Sequence, residues 1–159
     1  MCVRVCILFA KKTLKKIHIR TVKRFTTSNN TSNYTDLTGL SVTITPKFST
    51  SKILVECSIY NSNQNAVNFF RLLRGSTFIE QPSGTSSSGA GFNAHGFAYF
   101  DHSFQDTTVI KILDSPATTS STTYKVQMAV TGATGTINKF YNTSNYYGIS
   151  TIQLYEVSA

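Results

Sequence analysis

The stretch Leu40-Ser41-Val42-Thr43-Ile44-Thr45, which ends before Pro46, decides the fold class of this chain. Its apolar and hydroxyl side chains alternate, and a period of two places Leu40, Val42 and Ile44 on one face of a β-strand. Proline lacks the N–H group that a sheet ladder needs, so we expect the strand to end at Pro46. The stretch therefore predicts a sheet with one face in the core and one in solvent.

Similar segments recur along the chain and are separated by turn residues. The turns are spaced about 8–12 residues apart, which is typical of β-sandwiches and β-barrels. The longest stretch without a strand pattern, 81–91, is predicted to be a surface loop. The predicted strands are 17–25, 34–37, 40–45, 53–60, 66–74, 76–80, 92–104, 107–113, 122–130, 136–140 and 148–157.

The composition also favours an all-β fold. The 159 residues include 19 Ser, 23 Thr, 11 Phe and 8 Tyr, whereas Leu, Ala and Glu together contribute only 21. Because β-branched and aromatic side chains fit a pleated surface, this composition excludes a helical bundle. No amphipathic stretch of helical length separates the strands, which excludes an alternating βαβ fold. The length is that of one domain.

The net charge of +8 is concentrated near the N-terminus. Residues 1–24 contain eight Lys and Arg and no acid, whereas the rest of the chain has seven bases and seven acids. We therefore expect a basic arm over 1–16, a domain over 17–159 whose bases and acids balance from residue 25 onward, and an acidic partner. An apolar strip at period two lets the arm add as a strand to a partner's sheet edge. The residues predicted to bind the partner are Val3, Arg4, Val5, Ile7, Phe9, Lys11, Lys12, Lys15 and Lys16.

An amphipathic helix over 11–24, lying on a membrane or on packaged DNA, is the alternative interpretation of the arm. Its apolar face would be poor, because Ile17 and Ile19 are flanked by Thr and His residues. No segment has the roughly 20 apolar residues of a membrane-spanning helix. The domain also lacks a basic face with interleaved aromatic residues, so neither a membrane nor nucleic acid is expected as a partner.

No motif for catalysis or for cofactor binding occurs in the sequence: Gly-x-Ser-x-Gly, Gly-x-Gly-x-x-Gly and the phosphate loop are missing. His95 and His102 are seven residues apart, hence on opposite faces of one strand, and are interpreted as surface or interface histidines. Asp101 and Asp106 flank a turn and are weak candidates for holding Ca²⁺ at a trimer axis. The three cysteines are interpreted as reduced thiols. We expect no enzyme activity, no catalytic residue, no metal site and no cofactor.

Five segments carry a resemblance to a known family: 34–46, 51–55, 71–76, 113–127 and 149–157. In order and with similar spacing, over about residues 17–159, they resemble a β-rich module in virion structural proteins of tailed bacteriophages, particularly marine and cyanobacterial ones. The resemblance implies a jelly-roll-like antiparallel β-sandwich, a homotrimer and a non-enzymatic role on the virion. It does not extend to the first sixteen residues.

Neighbouring aromatic residues favour the trimer independently, because they place rings on both faces of a strand and one face then needs another subunit. The residues predicted at this trimer interface are Phe69, Phe97, Tyr99 and Phe100. A second candidate surface would contact a receptor, since Tyr, Asn, Ser and Gly make adaptable recognition surfaces. Its predicted residues are Gln81, Ser83, Ser86, Tyr141, Tyr146 and Tyr147.

Two positions on the virion then compete. In the first, the chain is a capsid decoration, cement or head-fibre protein, which the arm holds on the major capsid protein or another virion protein. In the second, it is the tip of a tail fibre and recognises a host-surface glycan or protein. A tip normally follows a long shaft, and residues 1–16 contain no heptads. The sequence therefore favours the capsid.

Overall fold

The computed structural model describes residues 15–21, 25–27, 33–63, 65–80, 94–100, 104–132, 134–140 and 147–157, of which 15, 18–21, 97, 100 and 104 are described by their backbone alone. These ranges contain no helix, hence none that is long and apolar enough to cross a membrane. Their eleven strands are β1 (Lys15–Thr21), β2 (Phe25–Thr27), β3 (Thr35–Ile44), β4 (Lys52–Asn63), β5 (Ala66–Arg74), β6 (Thr77–Phe78), β7 (Gly96–Phe100), β8 (Phe104–Asp114), β9 (Thr122–Val130), β10 (Gly135–Ile137) and β11 (Ser150–Val157).

Two antiparallel sheets form a sandwich. Sheet A has the order β1-β11-β4-β8, and the short strands β10 and β2 extend it beyond β11 on the same side of β4. Sheet B has the order β3-β9-β5-β7, with β6 next to β7 along β5. The eight long strands change sheet at every connection except the one from β5 to β7. This order is that of a jelly roll, so the predicted fold class is confirmed. The homotrimer stays a prediction.

The core lies between the sheets and is built by the alternation that the sequence shows. Leu40, Val42 and Ile44 of β3 are 0–4% exposed and face the alternating apolar residues of sheet A. Tyr124 and Phe70 are the largest side chains with no exposed surface. Each fully buried Leu, Ile, Val or Phe contributes about 1.5–3 kcal/mol to folding, so the two inner faces hold the sheets together.

The N-terminal strands differ in extent from the sequence prediction. Strand β3 is continuous through Gly39, where two strands and a turn were expected. Gly39 has a φ of 90°, and this left-handed conformation accommodates a register shift between Asp36 and Ser41 without ending the strand. The predicted first strand is divided into β1 and β2, because β1 pairs with β11 whereas β2 pairs with β10.

Asn61, Ser62 and Asn63 end strand β4, although the sequence predicted a turn over 61–65. All three are 0% exposed. The Asn63 amide donates to Asn68 Oδ1 over 2.7 Å, and the Asn68 amide donates to Asn61 Oδ1 over 2.9 Å. The Asn61 amide in turn donates to Thr108 Oγ1 over 3.1 Å. This buried polar layer links β4, β5 and β8, and its hydrogen bonds offset the cost of removing amides from water.

Candidate interaction surface

The predicted arm lies largely outside the described residues, which include only two of its nine named positions. Val3, Arg4, Val5, Ile7, Phe9, Lys11 and Lys12 lie outside them. Lys15 and Lys16 belong to β1, where they stand opposite Glu156 and Tyr155 of β11. The Lys16 ammonium group lies 5.2 Å from the centroid of the Tyr155 ring, within cation–π range. The basic segment therefore enters sheet A as one of its edge strands.

The four residues predicted at a trimer interface belong to β5 and β7 of sheet B. Phe69 is 6% exposed, so its ring is covered within a single chain. A second subunit is therefore not needed to bury Phe69. Tyr99 is 65% exposed, whereas the side chains of Phe97 and Phe100 lie outside the described part. A subunit contact at Tyr99 stays a prediction.

The predicted receptor-contacting residues are anchored in different sheets. Gln81, Ser83, Ser86, Tyr141 and Tyr146 lie outside the described residues. The first three belong to the segment between β6 and β7, which are both strands of sheet B. Tyr147 is 53% exposed and precedes β11 of sheet A.

The outer face of sheet B is occupied by its own polar contacts. Asp36 accepts hydrogen bonds from Lys125 Nζ over 2.8 Å and from Gln127 Nε2 over 2.6 Å. Burial opposes ionisation of Asp36, but these two hydrogen bonds, together with the charges of Lys125 and Arg71, lower the pKa of the carboxyl. Arg71 Nε donates to Gln127 Oε1, and the guanidinium lies 4.0 Å from the centroid of the Tyr34 ring. Among the described side chains of this face, Tyr99 is the one large apolar side chain that is exposed.

Both ring nitrogens of His95, which was interpreted as a surface or interface histidine, make hydrogen bonds to backbone groups of the chain. Its Nδ1 accepts the Leu72 N–H over 2.8 Å, and its Nε2 donates to the Ile79 carbonyl over 2.7 Å. The ring of Phe78 meets it edge to face at 4.7 Å. Burial lowers the pKa of His95, although the backbone hydrogen bonds oppose this effect. The neutral imidazole thus fastens β5 to the residues that follow β6.

Asp114, which directly follows the predicted strand 107–113, ends strand β8 and is buried between the sheets. Its two carboxylate oxygens each lie 2.7 Å from Arg74 Nη1, and the Tyr124 hydroxyl donates to it over 2.6 Å. Burial, and after it the hydrogen bond to Asp114, raise the pKa of Tyr124. Because Arg74 and Tyr124 belong to sheet B, this contact joins the edge of sheet A to the other sheet.

The outer face of sheet A carries most of the exposed apolar surface in the described part of the chain. The described part of the chain has six exposed large apolar side chains, and four of them lie on this face or directly before one of its strands. Val109 and Leu113 of β8 are 66% and 49% exposed, and Tyr147 and Ile149 precede β11. The other edge of β8 pairs with no described strand. Exposed apolar side chains beside a free sheet edge are typical of an interaction surface.

A shallow polar hollow of about 270 Å³ lies in the middle of this face. Lys111 Nζ and Glu56 Oε1 are 2.6 Å apart in it, and this hydrogen bond raises the pKa of the Lys111 ammonium. Lys111 therefore neutralises the one acidic residue of the hollow. The other side chains that line it are those of Ser58, Val109, Thr151 and Gln153.

The remaining candidate groups are isolated from one another. Cys57 is a free thiol buried in the core, and burial raises its pKa to about 12. The Asp106 carboxylate accepts the Thr107 N–H over 2.7 Å, whereas Asp101 lies outside the described residues. In the described ranges, no three His, Cys, Asp or Glu side chains are placed to hold a metal ion together.

Comparison with known proteins finds distant structural matches, among them two structures from infectious bursal disease virus. No protein-family model matches the chain, and no curated protein does. The crystal structure of the infectious bursal disease virus VP2 subviral particle is similar over 94% of this chain, with 11% identity and a TM-score of 0.42. The structure of the infectious bursal disease virus Gx strain matches the same share with 11% identity and a TM-score of 0.43. The chain covers 38% of the length of each. A likeness of this level does not define a function.

Proposed function

We propose that the chain is a non-enzymatic structural protein of a virion, bound to an acidic protein surface through its basic N-terminal segment. The observation that carries this proposal is the continuity between that segment and the jelly roll. Residues 1–24 contain eight bases and no acid, and they include β1, the edge strand of sheet A. A partner that binds β1 would therefore contact the folded domain directly.

The charges of the domain itself support an external acidic partner. Ion pairs join Arg74 to Asp114, Lys111 to Glu56 and Lys125 to Asp36. Outside residues 1–24 the bases and acids are equal in number, so no excess of acid remains to neutralise the basic segment. The segment would therefore gain most of its electrostatic energy from another molecule.

On the virion, we place the chain on the capsid of a tailed phage, as a decoration, cement or head-fibre protein. The resemblance of residues 17–159 to a phage virion module supports this placement. The second candidate is a tail-fibre tip that recognises a host-surface glycan or protein. The exposed Tyr147 and Ile149 beside β11 favour it, because an amphipathic ring next to an apolar residue suits receptor contact.

Reconstitution on particles tests the proposal. Particles of the virus that encodes this chain are prepared with the gene deleted and then mixed with the purified full chain or a variant lacking residues 2–14, which retains β1. We expect the full chain to sediment with the particles, and more weakly at high salt, because exposed charges are screened within about 8–10 Å. The truncated chain should stay folded by circular dichroism but remain in the supernatant.

The controls distinguish the candidate roles. A variant with Lys11 and Lys12 replaced by Gln should bind with an affinity between those of the full and truncated chains, since it keeps the apolar strip. Truncated protein that still decorates particles at the level of the full chain would contradict the proposed attachment. Binding to host cells without binding to particles would favour the tail-fibre tip.

A further inference from the structure

We infer that the outer face of sheet A, from β1 to the free edge of β8, lies against the same acidic protein that the basic segment binds. The inference rests on the proposed function and adds the face on which the domain docks. The occupant is a partner protein with acidic and apolar side chains.

Continuity with the basic segment is the first argument. Strand β1 continues residues 1–14 into sheet A, and three strand spacings separate it from β8. At about 4.8 Å per spacing, the free edge of β8 lies roughly 15 Å from the basic strand. A protein surface that binds residues 1–14 and β1 can therefore also contact the rest of this face.

Charge complementarity is the second argument. Lys16 and Lys111 point to this face, whereas Glu56 is already neutralised by Lys111. An acidic partner would thus meet no uncompensated acid at the hollow in the middle of this face. Lys111 is 63% exposed and can keep Glu56 while it approaches a second carboxylate. Rim charges of this kind select the partner and speed association more than they add affinity.

The contrast between the two outer faces is the third argument. On sheet B, Phe69 and Leu73 point outwards but are 6% and 5% exposed, so Tyr99 is the one large apolar side chain exposed among those described on that face. On sheet A, Val109 and Leu113 are exposed and belong to β8, whose outer edge pairs with no described strand. Backbone groups on that edge can pair with an extended segment of the partner, while the two side chains supply apolar contact.

The experiment compares two pairs of substitutions that change the charge equally. Val109→Glu with Leu113→Glu alters sheet A, and Ser41→Glu with Tyr99→Glu alters sheet B. All four residues are exposed, so both variants should fold, which thermal melting verifies. Binding to gene-deleted particles is measured for both variants beside the full chain and the 2–14 deletion. We expect the sheet A pair to lose about tenfold or more in affinity and the sheet B pair less than about twofold.

Hydrogen exchange of the wild-type chain on particles gives a second readout that needs no variant. Slower exchange of β8 amides on the particle, with β3 unchanged, would support the inference. Equal losses for the two pairs, or a loss for the sheet B pair alone, would overturn it. If the deletion abolishes binding while the sheet A pair binds normally, the proposed function stands and the docking face is wrong. If the deletion has no effect, the proposed function fails, and the inference fails with it.

Discussion

Replacing Asp114 with alanine tests how much the contact between β8 and sheet B contributes to the free energy of unfolding. The Asp114 side chain is 7% exposed and accepts hydrogen bonds from Arg74 and from the Tyr124 hydroxyl. Its removal leaves that hydroxyl, in a residue that is 0% exposed, without its acceptor. The Arg74 guanidinium would also lose its carboxylate, although its side chain is 30% exposed and can regain water.

The magnitude follows from these burials. Removing one partner of a buried ion pair costs about 3–5 kcal/mol, because the other charge is left uncompensated. Since Arg74 keeps access to solvent, we expect the lower end of this range, about 3 kcal/mol. Tyr124→Phe keeps the ion pair and removes a hydrogen bond to a charged group, so it should cost about 1.5–3 kcal/mol. The total stability of a domain is about 5–15 kcal/mol, so either loss is measurable.

Urea unfolding followed by circular dichroism measures both losses. Asp106→Ala is the matched control, because Asp106 lies on the same strand but is exposed. We expect this control to lose less than about 1 kcal/mol. The double variant of Asp114 and Tyr124 should lose less than the sum of the single variants, since both remove one contact. A loss from Asp114→Ala no larger than that of the control would refute the reasoning.

Three further predictions concern buried groups. The pKa of His95 is lowered in the fold, so the unfolded chain binds the proton more readily. The free energy of unfolding should therefore fall as the pH drops below about 6.5. In urea titrations, His95→Gln should make that fall less steep. Cys57, with a pKa of about 12, should resist iodoacetamide at pH 8 until denaturant is added, and mass spectrometry that finds it alkylated in the native protein would contradict its burial. Gly135→Ala should lower the free energy of unfolding by about 1–3 kcal/mol, because a Cβ there would lie 2.6 Å from Asn68 Oδ1 and close to two β9 side chains. An unchanged urea midpoint would show that β10 can move away.

The sequence by itself determined the fold class and most of the strands. Strands β5 and β9 have the predicted bounds, and Leu40, Val42 and Ile44 face the core as their alternation indicated. These features are local, because a period of two sorts side chains to opposite faces whatever the partner strand is. The concentration of positive charge in residues 1–24 was likewise visible without a structure.

Only the tertiary structure decided the roles of the buried polar residues. Asn61 and Asn63 have the composition of a turn, yet they are buried because Asn68 and Thr108 supply hydrogen bonds from neighbouring strands. Asp114 meets Arg74, 40 residues away, and His95 meets Leu72, 23 residues away. From the sequence alone, a polar side chain is predicted to lie at the surface or in a turn. The cost of burying it depends on hydrogen bonds that only the folded chain provides.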